Sequence, residues 1–330
     1  MRSPMICAIL MTVVSVSSAS AASPRSAQIG DAVTRSLTLL QKAEPTFASK
    51  ALCASCHHQV QPMAAARLAQ SKGLVVDDVV VARQLRSIQA ELEGRSERGR
   101  LHAFQPGTHT ALSGIMGGAV VGMLPLSDAT DAAVIYLMGK QTPAGNWDSI
   151  VVRAPVGGTD FTSTAAAVRA IQTYAPPALR GEADRRISHA RAWLVANHGD
   201  VNEALVHRLN GLAWARAPAR DIRAARIDLL RAQGSDGGWA QQPGMDPDPF
   251  ATAQSLLALA EGGMSSGDPA YQRGVDYLLR HQKPDGSWFV KSRALPIQPA
   301  IDGGFPYGQD QWISAMATGL AATALANALP

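Results

Sequence analysis

Cys53, Cys56 and His57 fall in the order Cys-x-x-Cys-His within LCASCHHQ (52–59), the spacing with the most specific chemistry in the chain. Two thiols so placed add to the two vinyl groups of a haem. The imidazole next in line becomes an axial ligand of the iron, as in c-type haem attachment. Haem c is therefore the cofactor candidate, with Cys53 and Cys56 as its anchors and His57 on the metal. The sixth ligand is open among His58, Met63, His102, His109, Met116 and Met123. Two other readings stand beside this one. The cysteines form a disulfide that staples the first hairpin, or they hold a different metal. Four ligands crowded into 53–58 close a tetrahedron poorly, however. A thioredoxin-like redox motif would need a βαβ setting, which is missing here.

A second group of candidates is spread over two stretches that echo each other. SIVVRAP follows Trp147 and FVKSRALP follows Trp288, so Arg153 and Arg293 occupy similar places on a crossing between two helices. The second crossing (289–308) is long and carries Asp302, Gly303-Gly304 and Tyr307 before Asp310-Gln311-Trp312. Loops at one end of a helical ring surround its mouth, where Arg153, Arg293, Tyr307 and Gln311 are expected to meet a ligand. The competing reading is an Arg–Asp pair that only pins the loop. Asp310 and Asp248 are the candidate catalytic acids, and the distance between Asp302 and Asp310 would discriminate a carboxylate pair. Pro247 and Pro249 also allow Asp248 to be a plain helix N-cap. His207, Arg208 and Gln254 are polar groups on otherwise apolar helices, either satisfied within the core or, for His207, in contact with a ligand.

The elements that must position these residues recur. GVDYLLRHQKPDGSW (274–288) repeats ARIDLLRAQGSDGGW (225–239), so that Gln282 and Trp288 each lie 49 residues after Gln233 and Trp239. AVIYLMGKQTPAGNW (133–147), with Gln141 and Trp147, lies two periods earlier, and ISHARAWLVANHGD (187–200) fills the gap in degenerate form. In each unit an amphipathic helix ends in Gly-containing turn chemistry. It is followed by an Ala-rich helix that is apolar nearly all round and so buried on every side. The alternation predicts six pairs: 29–46 with 59–72, 78–98 with 107–123, 128–139 with 163–174, 180–196 with 200–215, 219–232 with 248–263, and 267–281 with 309–328. The last helix is as apolar as the middle ones, so the array must close on itself rather than end in a polar cap. The expected fold is an all-α (α/α)6 toroid, with amphipathic helices outside and apolar ones inside.

These Gln-to-Gly-x-Trp units resemble the QW motifs of squalene–hopene cyclases and related triterpene cyclases, whose toroid the prenyltransferases share. The match is best over 219–329. The resemblance implies structural roles for Gln141, Trp147, Gln233, Trp239, Gln282 and Trp288, each Gln capping an outer helix, stacking on its Trp and tying neighbouring hairpins together. It also implies a catalytic Asp-x-Asp-Asp-Thr-Ala stretch, for which DPFATA (248–253) stands in this chain. Asp248, Thr252 and Ala253 match, whereas Phe250 and Ala251 replace the other two acids. Alkene protonation needs an acid poised by a paired carboxylate, and a lone Asp beside Phe does not supply one. Nor does the C-terminal half hold the Asp, Cys and His that bind zinc in protein prenyltransferases. The first hairpin resembles that of a bacterial exported subgroup with Ser-Cys-His-His-Gln.

Arg2, the apolar run 5–16 and Ala19-Ser20-Ala21 read as a signal peptide (1–21), which places the remainder (22–330) outside the cytoplasm, periplasmic or secreted. That remainder divides into a CxxCH-bearing part, 22–125, and QW-type repeats, 126–330. No later run of 18 apolar residues predicts a membrane span. A net charge of +4, with 24 Arg and 6 Lys scattered, leaves no nucleic-acid footprint. Together these features predict a ligand-binding or redox accessory toroid, with a small or hydrophobic ligand in its cavity and a possible redox partner. The alternatives are a divergent isoprenoid cyclase or glycan-active enzyme, and an interaction scaffold with a Cys53–Cys56 disulfide.

Overall fold

The computed structural model describes residues 23–51, 56–100, 108–118, 121–149, 153–295 and 301–330. Twelve α-helices alternate as outer and inner members of six hairpins among them. The outer helices are α1 (Pro24–Lys50), α3 (Asp78–Arg100), α5 (Asp128–Gly139), α7 (Arg180–Ala196), α9 (Ala219–Arg231) and α11 (Pro269–His281). The inner helices are α2 (Gln61–Ser71), α4 (Thr108–Gly117), α6 (Asp160–Tyr174), α8 (Asn202–Trp214), α10 (Pro249–Glu261) and α12 (Gln311–Asn327). Local sequence explains the starts. Ser127 and Thr130 form a reciprocal capping box on α5, and Asp268 caps α11 with Pro269 at its first position. A π-helical turn, Cys56–Val60, leads into α2. The only strands among the described residues are the short pair β1 (Trp239–Ala240) and β2 (Pro247–Asp248), antiparallel, with Trp239 opposite Asp248.

The inner helices pack in the order α4, α6, α8, α10, α12, α2. Small residues allow the close crossings. A side chain at Gly117 of α4 would come within 1.8 Å of the Ala166 carbonyl of α6, and Gly319 of α12 lies against Gln61 and Pro62 of α2. The all-apolar composition of α12 is thereby accounted for: it is buried from Gln311 to Ala322 because α1, α2 and α10 surround it. The toroid is closed.

Three repeats share one set of bonds. Trp147, Trp239 and Trp288 are fully buried. Their indole N–H groups donate to the carbonyls of Leu137, Leu229 and Leu278, ten residues earlier on the outer helix. Their backbone N–H groups donate to Thr164, Thr252 and Thr318 on the inner helix. Burying one indole removes roughly 200 Å² from water, on the order of 5 kcal/mol. Gln141, Gln233 and Gln282 each donate to their own turn, at Gly145, Gly237 and Gly286, and to the next outer helix, at Arg186, Ala270 and Ala32. The last of these closes the ring from α11 to α1, with Arg25–Asp276 beside it at 2.6 Å. The fourth repeat lacks the Trp. There Arg208 donates through Nε to the Leu194 carbonyl at 3.0 Å and pairs with Asp228 at 3.2 Å.

Candidate functional site

Outward bonds define the inward faces. On α8, Arg208 points out at Leu194 and Asp228, so the opposite face carries Glu203, His207, Asn210 and Trp214 at helical spacing. On α10, Thr252 points out at Trp239 and Leu256 at Gly274, which leaves Phe250, Gln254, Leu257 and Glu261 inward. On α12, Thr318 and Ser314 bond outward, which leaves Trp312, Met316 and Leu320 inward. Ala166, His207, Gln254 and Leu257, on the inner helices, are each partly exposed. At the C-terminal ends of α8 and α10 the Trp214 indole donates to Glu261 at 2.9 Å, while Arg169 lies over its ring at 4.3 Å and pairs with Glu261 at 3.4 Å.

The mouth is formed where the inner helices begin. Asp248 is the N-cap of α10, set there by the β1–β2 pairing. Its Oδ1 accepts from the N–H groups of Phe250 and Ala251 at 2.8 and 3.0 Å. Its Oδ2 is buried without a hydrogen-bond partner. Burial pushes this carboxyl up from 3.8 to about 6, against the opposing pull of the two N–H groups, the adjacent Gln241 amide and Arg293. The Gln241 amide favours the charged form from alongside, without reaching Oδ2 at hydrogen-bond geometry. Its Oε1 accepts from Arg293 Nε at 2.6 Å, and its carbonyl accepts from Asn202 N–H. Glu203 is also pushed up by burial, but its oxygens are taken by Gly157 N–H, Gly158 N–H and Thr162 Oγ1 at 2.7–3.0 Å. Arg293 favours the charged form of both carboxylates.

Arg153 lies 4.4 Å over the Trp312 ring, and its charge reaches His57. The two arginines thus sit at the same mouth but bond differently. His57 is held well below its usual value by burial first, then by His58 and Arg153. Its Nδ1 meets Nδ1 of His58, and its ring stands edge-on to Phe47 and Trp312. His58 stacks on Phe47 at 4.5 Å, and burial lowers it to about 4. Cys53 and the side chain of Cys56 lie outside the described residues, as do His102 and the side chain of His109. Met63 and Met116 are buried in the core and Met123 packs against it.

The long crossing is occupied with holding itself. Gln311 accepts from Gly303 N–H and donates to the Gly308 carbonyl, Asp310 accepts from Ser292 N–H, and Tyr307 bonds Ser287. Asp302 is on the exposed rim, 3.4 Å from Lys50 of α1. The loop is pinned by these contacts, and Arg293 donates to Gln241. The carboxylates that share the mouth's electrostatics are Asp248 and Glu203. Glu203 and Gln241 carry no motif: the one signal available was an acid in the first turn of an inner helix, and a Gln two residues past a repeat Trp.

Two curated proteins, each named drimenyl diphosphate synthase, match part of this sequence. The one from Streptantibioticus cattleyicolor is 30% identical over 190 residues, 51% of this chain and 34% of that protein. The one from Streptomyces showdoensis is 27% identical over 168 residues, 46% of this chain and 30% of that protein. The chain therefore spans about a third of the length of the curated relatives it matches. The solved structure of the type II terpene cyclase MstE from Scytonema superposes with a TM-score of 0.56 at 17% identity, over 92% of this chain and 99% of that one. The chain has the α/α-toroid fold of that structure. A wild-type glycosidase shares the architecture equally, with a TM-score of 0.58 at 13% identity over 93% and 98%. No family model matches. The toroid is thus common to cyclases and glycosidases, and its reaction has to be argued from the mouth.

Proposed function

We propose that this toroid is a divergent enzyme that holds its substrate in the lumen and uses Asp248 as a general acid toward a substrate oxygen. The observation that carries the reading is the Asp248 carboxyl: one oxygen fixed by two backbone N–H groups, the other buried and unbonded at the mouth. With burial holding it near 6, about a tenth of the carboxyl is protonated at pH 7. That is useful for transfer to an ether, ester or hydroxyl oxygen, where acid strength matched to the working pH is best. Alkene protonation asks for the opposite shift, toward a stronger acid, and Phe250 and Ala251 supply no partner carboxyl. Cyclisation by that route is not supported. Arg293 and Gln241 position the acid, and Arg293 stabilises it after the proton has left.

The test is a titration of the Asp248 carboxyl by 13C NMR, with Asp248→Asn to assign it. A midpoint near 6 is expected, and one below 4 refutes the acid. Any turnover found with 4-nitrophenyl glycosides or allylic diphosphates must fall above pH 6 and vanish in Asp248→Asn.

The Cys-x-x-Cys-His spacing supports a second, separable proposal. Cys53 and Cys56 would anchor a haem, and His57, neutral in its buried setting, offers the form of imidazole that ligates iron. The haem would supply one-electron chemistry. Protein exported through its own N-terminal segment in a host that attaches haem should show a Soret band and the mass of one haem; absence of both refutes it.

A further inference from the structure

Four polar atoms on the wall made by α8 and α10 have no partner among the described residues: His207 Nδ1, Asn210 Oδ1, Gln254 Oε1 and Asp248 Oδ2. Asn210 is only 9% exposed. Given the helical rise, Gln254 lies about 9 Å below the mouth and Asn210 about 12 Å, above Trp214 at about 18 Å. The facing surface is different. On α12, Met316 and Leu320 present hydrocarbon toward the centre of the ring, each 6% exposed, and Leu257 adds to it from the lower part of α10. We propose that this wall binds the polyhydroxylated, uncharged head of an amphiphile whose apolar part lies against α12. The proposal rests on the lumen reading above and names the substrate class.

The chemistry follows from what the wall lacks. Asn210 Oδ1 and Gln254 Oε1 are acceptors, Asp248 Oδ2 accepts when charged and donates when protonated, and His207 Nδ1 belongs to an imidazole that burial keeps neutral, so it gives or takes one hydrogen bond. A hydrocarbon in the lumen would leave all four dry, each at a desolvation cost that hydroxyl groups relieve. A cationic head would have to pass Arg153 and Arg293 at the mouth. An anionic head would meet acceptors and Glu203. Hydroxyl groups suit every position. They also present the oxygen that Asp248 is placed to protonate.

The probe is n-octyl β-D-glucoside below its micelle-forming concentration, with 1-octanol as the apolar control, each titrated calorimetrically into the wild type, Asn210→Leu and Gln254→Leu. Saturable binding of the glucoside is expected, at least tenfold tighter than octanol. Either Leu variant should lose about tenfold for the glucoside and none for octanol. Equal binding of the two probes, no saturable glucoside binding, or insensitivity to both substitutions overturns the proposal. If the Leu variants fail to fold, the preference of the wild type alone decides it. Asp248→Asn separates the two readings, because Asn still bonds a hydroxyl. Retained glucoside binding together with a carboxyl that titrates below 4 would remove the acid and leave the subsite.

Discussion

Replacing Asp248 with Asn should stabilise the protein at neutral pH and do nothing at pH 4. Asn caps a helix about as well as Asp, so the two N–H groups of Phe250 and Ala251 keep their acceptor. What changes is the charge. The folded carboxyl titrates near 6 against an ordinary 3.8, so the native state holds its proton more tightly than the unfolded chain. Stability contributed by the protonated form is complete below 3.8 and is lost as pH rises through 6. At 1.36 kcal/mol per unit the loss is about 3 kcal/mol by pH 7.5. This is an upper figure, since the side chain keeps partial exposure. With an unfolding entropy of about 2.1 cal/mol/K per residue, a chain of this size would gain about 5 °C in Tm. Calorimetric scans of both proteins from pH 4 to 7.5 give the difference curve, in which every other titrating group cancels. A curve that climbs toward neutral pH is expected. A flat curve, or one in which the variant loses ground as pH rises, refutes the buried acid. The latter is what a charged cap favoured by the helix dipole would produce.

His207 should give the opposite sign. Its folded value near 4 lies below the ordinary 6.5, so the wild type loses up to about 3 kcal/mol relative to His207→Asn as pH falls from 6.5 to 4; equal loss in both proteins argues that the imidazole is not buried neutral. Arg293→Met removes a cation that favours the charged forms of Asp248 and Glu203, so the Asp248 midpoint should move above 6, and a downward move by carboxyl NMR would contradict the placement. Gln282→Ala leaves the acceptors Ala32, Ser36 and Gly286 without their amide donor and should cost on the order of 2–4 kcal/mol in urea unfolding, comparable with Gln233→Ala. A negligible cost at Gln282 alone would mean that the α11–α1 seam does not hold the ring.

The hairpins were legible because their signals are local and periodic. Turn chemistry at Asp236-Gly237 and Asp285-Gly286 ended the outer helices where expected, and inner helices without a polar face had to be buried all round. The repeat of Gln and Trp at 49 residues told of equivalent hairpins before any contact was known. Even α12, apolar on every face, announced the closure, since an end helix of that composition has no other way to leave water.

The mouth was less legible, because its chemistry depends on which side of a helix a residue falls and on what bonds it first. Gln311, Tyr307 and Asp310 have the composition of a ligand site, yet Gln311 and Asp310 bond the backbone of their own crossing and Tyr307 bonds the Ser287 hydroxyl. Arg153 and Arg293 look equivalent by motif, but one lies over Trp312 and the other is bound to Gln241. Arg208 stands in for an indole that the fourth repeat lacks, a substitution visible only once Leu194 is seen to need a donor. The amino-acid sequence alone determined the helices, their number and the ring, through periodicity and burial that each segment carries in itself. Tertiary structure alone decided that Asp248 keeps one free oxygen and Glu203 keeps none, because the oxygens of Glu203 are taken by groups 41 to 46 positions away in the chain, whereas Asp248 is bonded only by the N–H groups of Phe250 and Ala251 beside it.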